Sequence, residues 1–311
     1  MTQKRAAAVA PAASVAAAPA AAGRAYELPL ELQIDTGVAQ RIIVGFIRSQ
    51  LDQAGFEKAV LGLSGGIDSA LVAYLVAAAI GAEKLLCVLM PYRTSADASR
   101  LDADEVVRRL GTASHLVDIS PIVDGYFDSG SAPLGEPRAE ALRRGNFMAR
   151  ARMEVLYDHS VTWRGLVVGT GNKTEGLIGY TTLWGDMACA FNPIGDLYKS
   201  QVRQLAEAMG VPDAILRKAP SADLWPGQTD EAEVGFSYAE VDRLLYWLVD
   251  RRRTPEELAE MGFEPATIER VIRMVAGAEF KRQMPPIAKV GPRTAGVDYL
   301  YPRRRPGSAR S

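Results

Sequence analysis

The sequence predicts an α/β fold in which a parallel β-sheet lies between two layers of helices. Apolar runs of strand length, bounded by turn residues, recur at Val60–Leu63, Lys84–Met90, Ser114–Ile119 and Gly165–Gly169. Segments with apolar residues at helical spacing separate them. Strands alternating with helices over one long stretch argue for a parallel sheet covered on both faces, and ligands on such sheets sit beyond the carboxyl ends of the strands.

Residues Met1–Ala25 are nearly all Ala, interrupted by Pro11 and Pro19. Lys4 and Arg5 ahead of small apolar residues imitate a secretory leader, but there is no Leu- or Phe-rich core and the prolines break the run. This segment is expected to be a flexible, dispensable tail. Val38, Ile42, Ile43, Phe46, Ile47 and Leu51 then make an amphipathic helix. The first strand follows and runs straight into Ser64-Gly65-Gly66, with a helical pattern from Ser69 to about Ile80. Lys84–Met90 is a buried strand ended by Pro91. Ser99–Leu110 is a helix closed by Gly111, Ser114–Ile119 a third strand and Gly165–Gly169 a fourth. Between the last two lie a Gly/Pro/Ser-rich loop, Asp128–Pro137, and a helix, Glu140–Tyr157, that carries Asn146, Arg150 and Arg152.

Gly169–Asp196 is rich in glycine and reads as one long irregular loop, a length that in a compact domain marks function. Lys199 ends it, just ahead of a helix over Ser200–Met209. Pro220–Asp230 reads as a second ordered loop, Phe236–Val249 and Pro255–Ala276 as helices, and the basic, Pro-rich end as a tail. The expected division is therefore a tail over 1–25, a single domain over 26–286 and a second tail over 287–311.

Composition narrows the function. The formal net charge is −1 in 311 residues, so no global basic field argues for nucleic acid. Cys87 and Cys189 make no disulfide framework and read as reduced, buried thiols. His115 and His159 are too few for a His-rich zinc site. No apolar run is long enough to span a bilayer, and the expectation is a soluble, cytoplasmic protein without membrane contact.

The stretch AVLGLSGGIDS, Ala59–Ser69, carries the chemistry. A strand, a Gly-bearing turn and a helix start gather backbone N–H groups at a helix N-terminus, where they favour an anion. Ser64 and Ser69 add hydroxyls, and Asp68 supplies an oxygen ligand for phosphate-bound magnesium. The same residues also suit an ordinary helix cap. No Gly-Lys-Ser/Thr follows, so this is not a Walker loop.

The order Ser-Gly-Gly-x-Asp-Ser after an apolar strand resembles the loop of the N-type ATP pyrophosphatases, which cleave ATP between the α- and β-phosphates. Together with NFMARARM ahead of LYDHS, VVGTGNKTE, GYTTLWGD, NPIGDLYKSQV and PSADLWPGQTDE, it makes the chain similar to the NAD synthetases from about Leu28 to Pro286. The resemblance implies a three-layer, Rossmann-like fold of the adenine nucleotide alpha hydrolase kind. It implies a ligase that adenylates the carboxylate of deamido-NAD with ATP and lets ammonia displace AMP. It places Ser64, Gly65, Gly66, Asp68 and Ser69 on the pyrophosphate part of ATP, and Arg152, Thr170, Lys199 and Ser221 on ATP, with Arg150 a weaker member. Asp68 and Glu175 match magnesium-associated carboxylates, and Asp186 matches an acid beside the reacting carboxyl group, with Asp186 and Lys199 the catalytic pair.

Many family members have Lys where this chain has Leu183, Asp where it has Ala190, and His before the Lys-Arg pair that here follows Phe280. About sixty residues precede the loop and no Cys precedes Cys87, so an ammonia-dependent enzyme is expected, with a separate glutaminase subunit as an optional partner. A homodimer is the family expectation. Rival readings are another adenylating pyrophosphate-loop enzyme and a nucleotide-binding regulatory protein without turnover.

Overall fold

A computed structural model describes residues 29–130, 135–219 and 235–295. The tail over 1–25 and the loop carrying Ser221 lie outside the described residues, as does 296–311 of the second tail.

Four parallel strands form one sheet: β1 (Lys58–Gly62), β2 (Leu85–Leu89), β3 (Ala113–Leu116) and β4 (Gly165–Val168), in the order β3-β2-β1-β4. The register sets Leu61 beside Cys87 on one side and beside Val168 on the other. The chain thus steps outward from β1 to β3, then returns across the sheet to place β4 on the far side of β1. Such a reversal opens a crevice at the carboxyl ends of β1 and β4.

Period-2 alternation sends neighbouring strand residues to opposite faces. Ala59 and Leu61 of β1, with Leu85 and Cys87 of β2, pack with α1 (Thr36–Ala54), α2 (Ile67–Ile80), α3 (Asp97–Leu110) and, further along the chain, α7 (Lys199–Ala208). Val60, Leu86 and Val88 face the other way, onto Val155, Leu156 and Trp163 of α5 (Pro137–Trp163). Both faces of the sheet are therefore covered, as expected. α2 is apolar almost all round and is correspondingly buried, as a helix sandwiched between sheet and outer helices must be. A separate cluster gathers Leu32, Ile178 and Tyr198 with the helices Tyr238–Leu245, Pro255–Glu260 and Pro265–Gly277.

The differences from the sequence reading are local. β3 ends at Leu116 rather than Ile119, because the Asp118 carboxylate accepts from the backbone N–H and hydroxyl of Ser120 and starts α4 (Ser120–Asp128), which has Pro121 in its first turn. α5 starts at Pro137 and runs to Trp163, with the Glu136 carboxylate accepting from Arg138 N and Ala139 N. Residues 169–196 are not wholly irregular, for they contain α6 (Lys173–Ile178). Pro255–Ala276 is two helices: Gly262 turns the chain at φ +89°, a conformation glycine adopts without steric cost, and Pro265 opens the second helix, capped by Glu264. The helix from Tyr238 becomes a π-turn over Tyr246–Asp250. Cys87 is buried, and desolvation pushes its thiol up to about 11; Cys189 is only partly buried. Among the described residues, no helix is long and apolar enough to cross a membrane.

Candidate active site

Between β1 and α2 the chain turns at Gly65, whose φ of +77° lies in the left-handed region. A Cβ there would collide with the Ser99 carbonyl oxygen at the start of α3, so the turn requires glycine on two counts. The serines fold the loop from within. The Gly66 N–H donates to Ser64 Oγ at 3.2 Å and the Ser64 N–H to Ser69 Oγ at 3.2 Å, while the Ser69 hydroxyl donates to the Gly66 carbonyl at 3.0 Å. A Lys218 ammonium bonds Ser99 Oγ and Asp102 Oδ2 behind it, tying the end of α8 (Asp213–Arg217) to α3.

Asp68, in the first turn of α2, extends across the crevice. Its Oδ2 lies 2.5 Å from Lys199 Nζ, and its Oδ1 accepts from Asn172 Nδ2 at 3.0 Å. Lys199 Nζ also reaches Glu175 Oε1 at 3.3 Å. Glu175 is held by a capping box, in which its backbone N–H donates to Asn172 Oδ1 and its carboxylate accepts from the Asn172 N–H. Lys199 begins α7 and is 7% exposed, an unusual burial for lysine that two carboxylates compensate. The structure thus brings together Ser64, Gly65, Gly66, Asp68, Ser69, Glu175 and Lys199, and sets Thr170 just past the end of β4.

Behind this cluster stands Asp242, fully buried. Its Oδ1 accepts from the Thr174 hydroxyl at 2.5 Å, and its Oδ2 from the N–H and hydroxyl of Ser200 at 2.8 and 2.6 Å. Desolvation raises its carboxyl above the ordinary range, opposed by those hydrogen bonds and by the Lys199 charge.

Other predicted residues sit on α5 and the loop it faces. Arg152 Nε donates to the Met90 carbonyl just past β2, and Arg150 to the Leu183 carbonyl at 3.2 Å. Asp186 Oδ1 accepts from the Thr182 N–H at 2.6 Å, and the Thr182 hydroxyl donates to Asn146 Oδ1. Protein crowds Asp186 while leaving its side chain open to solvent. The resulting desolvation raises its carboxyl above the ordinary range, against N–H donors and the Lys281 charge. Lys281 donates to the carbonyls of Gly179 and Thr181, and desolvation lowers its pKa. Of the three departures, Leu183 offers its carbonyl to Arg150, Ala190 donates its N–H to Val167, and Phe280 is 62% exposed.

Sequence reasoning missed Asn172, Thr174, Asp242 and the role of Lys281. Asp242 left a readable signal, since it interrupts the apolar stripe of Tyr238, Val241, Leu244 and Leu245. His115 and His159 pair with each other at 2.6 Å on the β3 edge, on the opposite side of the sheet from β4.

The donor set suits magnesium. Among the described residues no group of three or more His, Cys, Asp or Glu could cage a metal. Two carboxylates converge on one cationic point, however, and magnesium is ordinarily held by one or two carboxylates plus substrate phosphates and water.

Known proteins share both the sequence and the fold of this chain. Residues 39–285 match the family model described as NAD synthase. An NH(3)-dependent NAD(+) synthetase from Trichlorobacter lovleyi is 52% identical over 272 residues, covering 88% of this chain and 97% of the relative. The solved NH3-dependent NAD synthetase from Campylobacter jejuni, in complex with the nitrate ion, superposes with a TM-score of 0.70 at 33% identity, covering 83% of this chain and all of that one (100%). An NMN synthetase from Francisella tularensis gives a TM-score of 0.71 at 29% identity, covering 82% of this chain and 99% of that chain.

Proposed function

We propose, from the premise that the chain belongs to the NAD synthase family, that the crevice between β1 and β4 carries both halves of that family's reaction. The chain is an amide-forming ligase: it converts deamido-NAD to NAD with ATP and ammonia, releasing AMP and pyrophosphate. The observation that carries the assignment of residues is the convergence of Asp68 and Glu175 on Lys199 at the carboxyl edge of the sheet.

A carboxylate is a poor electrophile until one oxygen becomes part of a good leaving group. The nicotinate oxygen attacks the α-phosphorus of ATP, a new O–P bond forms, and the bond to the bridging oxygen of pyrophosphate breaks. Ser64, Gly65, Gly66 and Ser69 receive the departing pyrophosphate with N–H and hydroxyl groups at the start of α2, where the helix dipole favours negative charge. Lys199 supplies a fixed cation for the charge that grows on the leaving oxygens, and Thr170, Arg152, Arg150 and Ser221 hold the rest of the nucleotide. Asp68 and Glu175 hold Mg2+, which when bound neutralises phosphate charge. Ammonia then attacks the adenylated carbonyl carbon, the C–O bond to AMP breaks, and the nitrogen sheds a proton. Asp186, its carboxyl made more basic by crowding, orients the ammonia and accepts that proton.

The active form is a homodimer, a reading supported by exposed apolar side chains along α5, including Leu142, Tyr157 and Val161. Its mass in solution tests this. A buried Cys87 thiol and the use of ATP support a cytoplasmic location; glutamine would serve only through a separate glutaminase subunit.

The test is turnover with ATP, magnesium and deamido-NAD, following NAD and pyrophosphate, with ammonium in one tube and glutamine in another. NAD from ammonium alone is the expected result, and glutamine-driven turnover by the pure chain would overturn the nitrogen source. A third tube with nicotinic acid mononucleotide checks the acceptor, since the Francisella neighbour is an NMN synthetase.

A further inference from the structure

We infer that Asp242 is a positioning residue: from inside the carboxyl-terminal helical cluster it sets the first turns of α6 and α7, and through them the placement of Glu175 and Lys199. The inference rests on the roles proposed above for those two residues.

The hydrogen bonds leave no freedom of direction. Backbone N–H groups can only donate, so Thr174 Oγ1 must accept from the Lys199 N–H at 3.0 Å. The Thr174 proton is then free to go to Asp242 Oδ1 at 2.5 Å. Ser200 gives Asp242 Oδ2 both its N–H and its hydroxyl proton. One carboxylate therefore accepts three protons and fixes a fourth through Thr174. The first N–H groups of a helix have no partner within it. In α7 those of Lys199 and Ser200 are satisfied by Thr174 and Asp242, not by a neighbouring cap, and the carboxylate lies 42 residues away in sequence. A negative charge at a helix N-terminus is favourable. Thr174 is itself fully buried and directly precedes Glu175, so the same carboxylate pins the turn that carries Glu175, whose Oε1 meets Lys199 and whose Oε2 accepts from the Asn172 N–H.

Nothing in the packing requires a carboxylate there. Asp242 sits in the stripe of Val241, Leu244 and Leu245, where an apolar side chain would bury without a desolvation cost. A carboxylate in such a place is explained by what its acceptors hold.

Asp242→Asn tests the idea, because it keeps size and shape but replaces one acceptor by an NH2 donor. Turned one way, the amide points a donor at the Ser200 N–H; turned the other, it donates to Thr174 Oγ1, which still accepts from Lys199 but whose own proton loses its acceptor. Either way the negative charge at the start of α7 is gone. Initial rates are measured with saturating deamido-NAD and ammonium, well below the unfolding midpoint of each variant, with folding checked by circular dichroism. Asp242→Asn is expected to lower kcat at least tenfold while the KM for ATP changes less than threefold. Thr174→Val should lose a similar factor and Thr174→Ser should recover most of it. The Asp242→Asn/Thr174→Val double variant should be no slower than the worse single one, since both cut the same chain of bonds. Wild-type kcat in Asp242→Asn overturns the inference. So do losses that multiply in the double variant, or a Thr174→Ser enzyme as slow as Thr174→Val. Lys199→Ala is run alongside: if it is fully active the site assignment fails, whereas an inactive Lys199→Ala beside a fully active Asp242→Asn defeats the positioning role alone.

Discussion

The two halves of the site are built in opposite ways. The Ser64–Ser69 loop, which we assign to the phosphates, is local: its hydroxyl and backbone bonds join residues no more than five apart. The charged half is assembled from a distance, with Lys199 reaching Asp68 over 131 residues and Thr174 reaching Asp242 over 68. The local half takes its shape from turn geometry and helix N-terminal donors. The distant half exists only while the carboxyl-terminal cluster is packed, because that cluster delivers the buried carboxylate. Damage to the first should therefore appear as strain and weakened nucleotide binding, and damage to the second as lost chemistry on a folded scaffold.

Lys199→Ala should give the largest effect. Removing a fixed charge aimed at developing negative charge costs about 10²–10³ in kcat. It should leave the Ser64 loop intact, so ATP binding measured by titration weakens much less than turnover falls; equal losses would merge the two halves. Gly65→Ala breaks the other half. The left-handed backbone and the collision with Ser99 should cost about 1–3 kcal/mol of stability, read as a lower denaturant midpoint, together with weaker ATP binding. An unchanged midpoint would show that the loop is not strained as described. Glu175→Gln should raise the magnesium concentration for half-maximal rate roughly tenfold, in line with loss of an oxygen ligand's charge. A magnesium titration of the rate checks it, and an unshifted curve would remove Glu175 from the metal.

The smallest effect on stability concerns Asp186. Its folded carboxyl is raised, so its contribution to stability is present below the ordinary carboxylate range and lost as pH rises through the raised value. Asp186→Asn should therefore be slightly more stable than the parent at neutral pH, and the gain should shrink on acidification. Turnover runs the other way, since proton acceptance needs the ionised form. The parent should lose rate as pH falls through the raised value, and the variant should lack that limb. Thermal melts and rate profiles against pH separate the two.

What could be read from the sequence follows the same division. Val60–Leu63 followed by Ser64-Gly65-Gly66 was legible because strand, turn and helix signals lie within a dozen residues. The sheet was legible for the same reason, although β3 came out shorter once Asp118 turned the chain. α6 was hidden because glycines at 169, 171 and 179 flank it and Gly176 lies within it; its signal was the Asn172/Glu175 capping box. The helix expected over 255–276 ignored Gly262 and Pro265, whose breaking power outweighs apolar periodicity. Asp242 could not be assigned because its partners are supplied by tertiary packing, and a lone acid in an apolar stripe names no partner by itself. Ser221 lies outside the described residues, so its place on ATP stands as a proposal.

The most direct test of the account is exchange of labelled pyrophosphate into ATP with no ammonia present. If the crevice between β1 and β4 adenylates a bound carboxylate before nitrogen arrives, exchange requires deamido-NAD and magnesium and disappears in Lys199→Ala. Exchange that proceeds without deamido-NAD, or NAD formation from ammonium by an enzyme that shows no exchange, would contradict it.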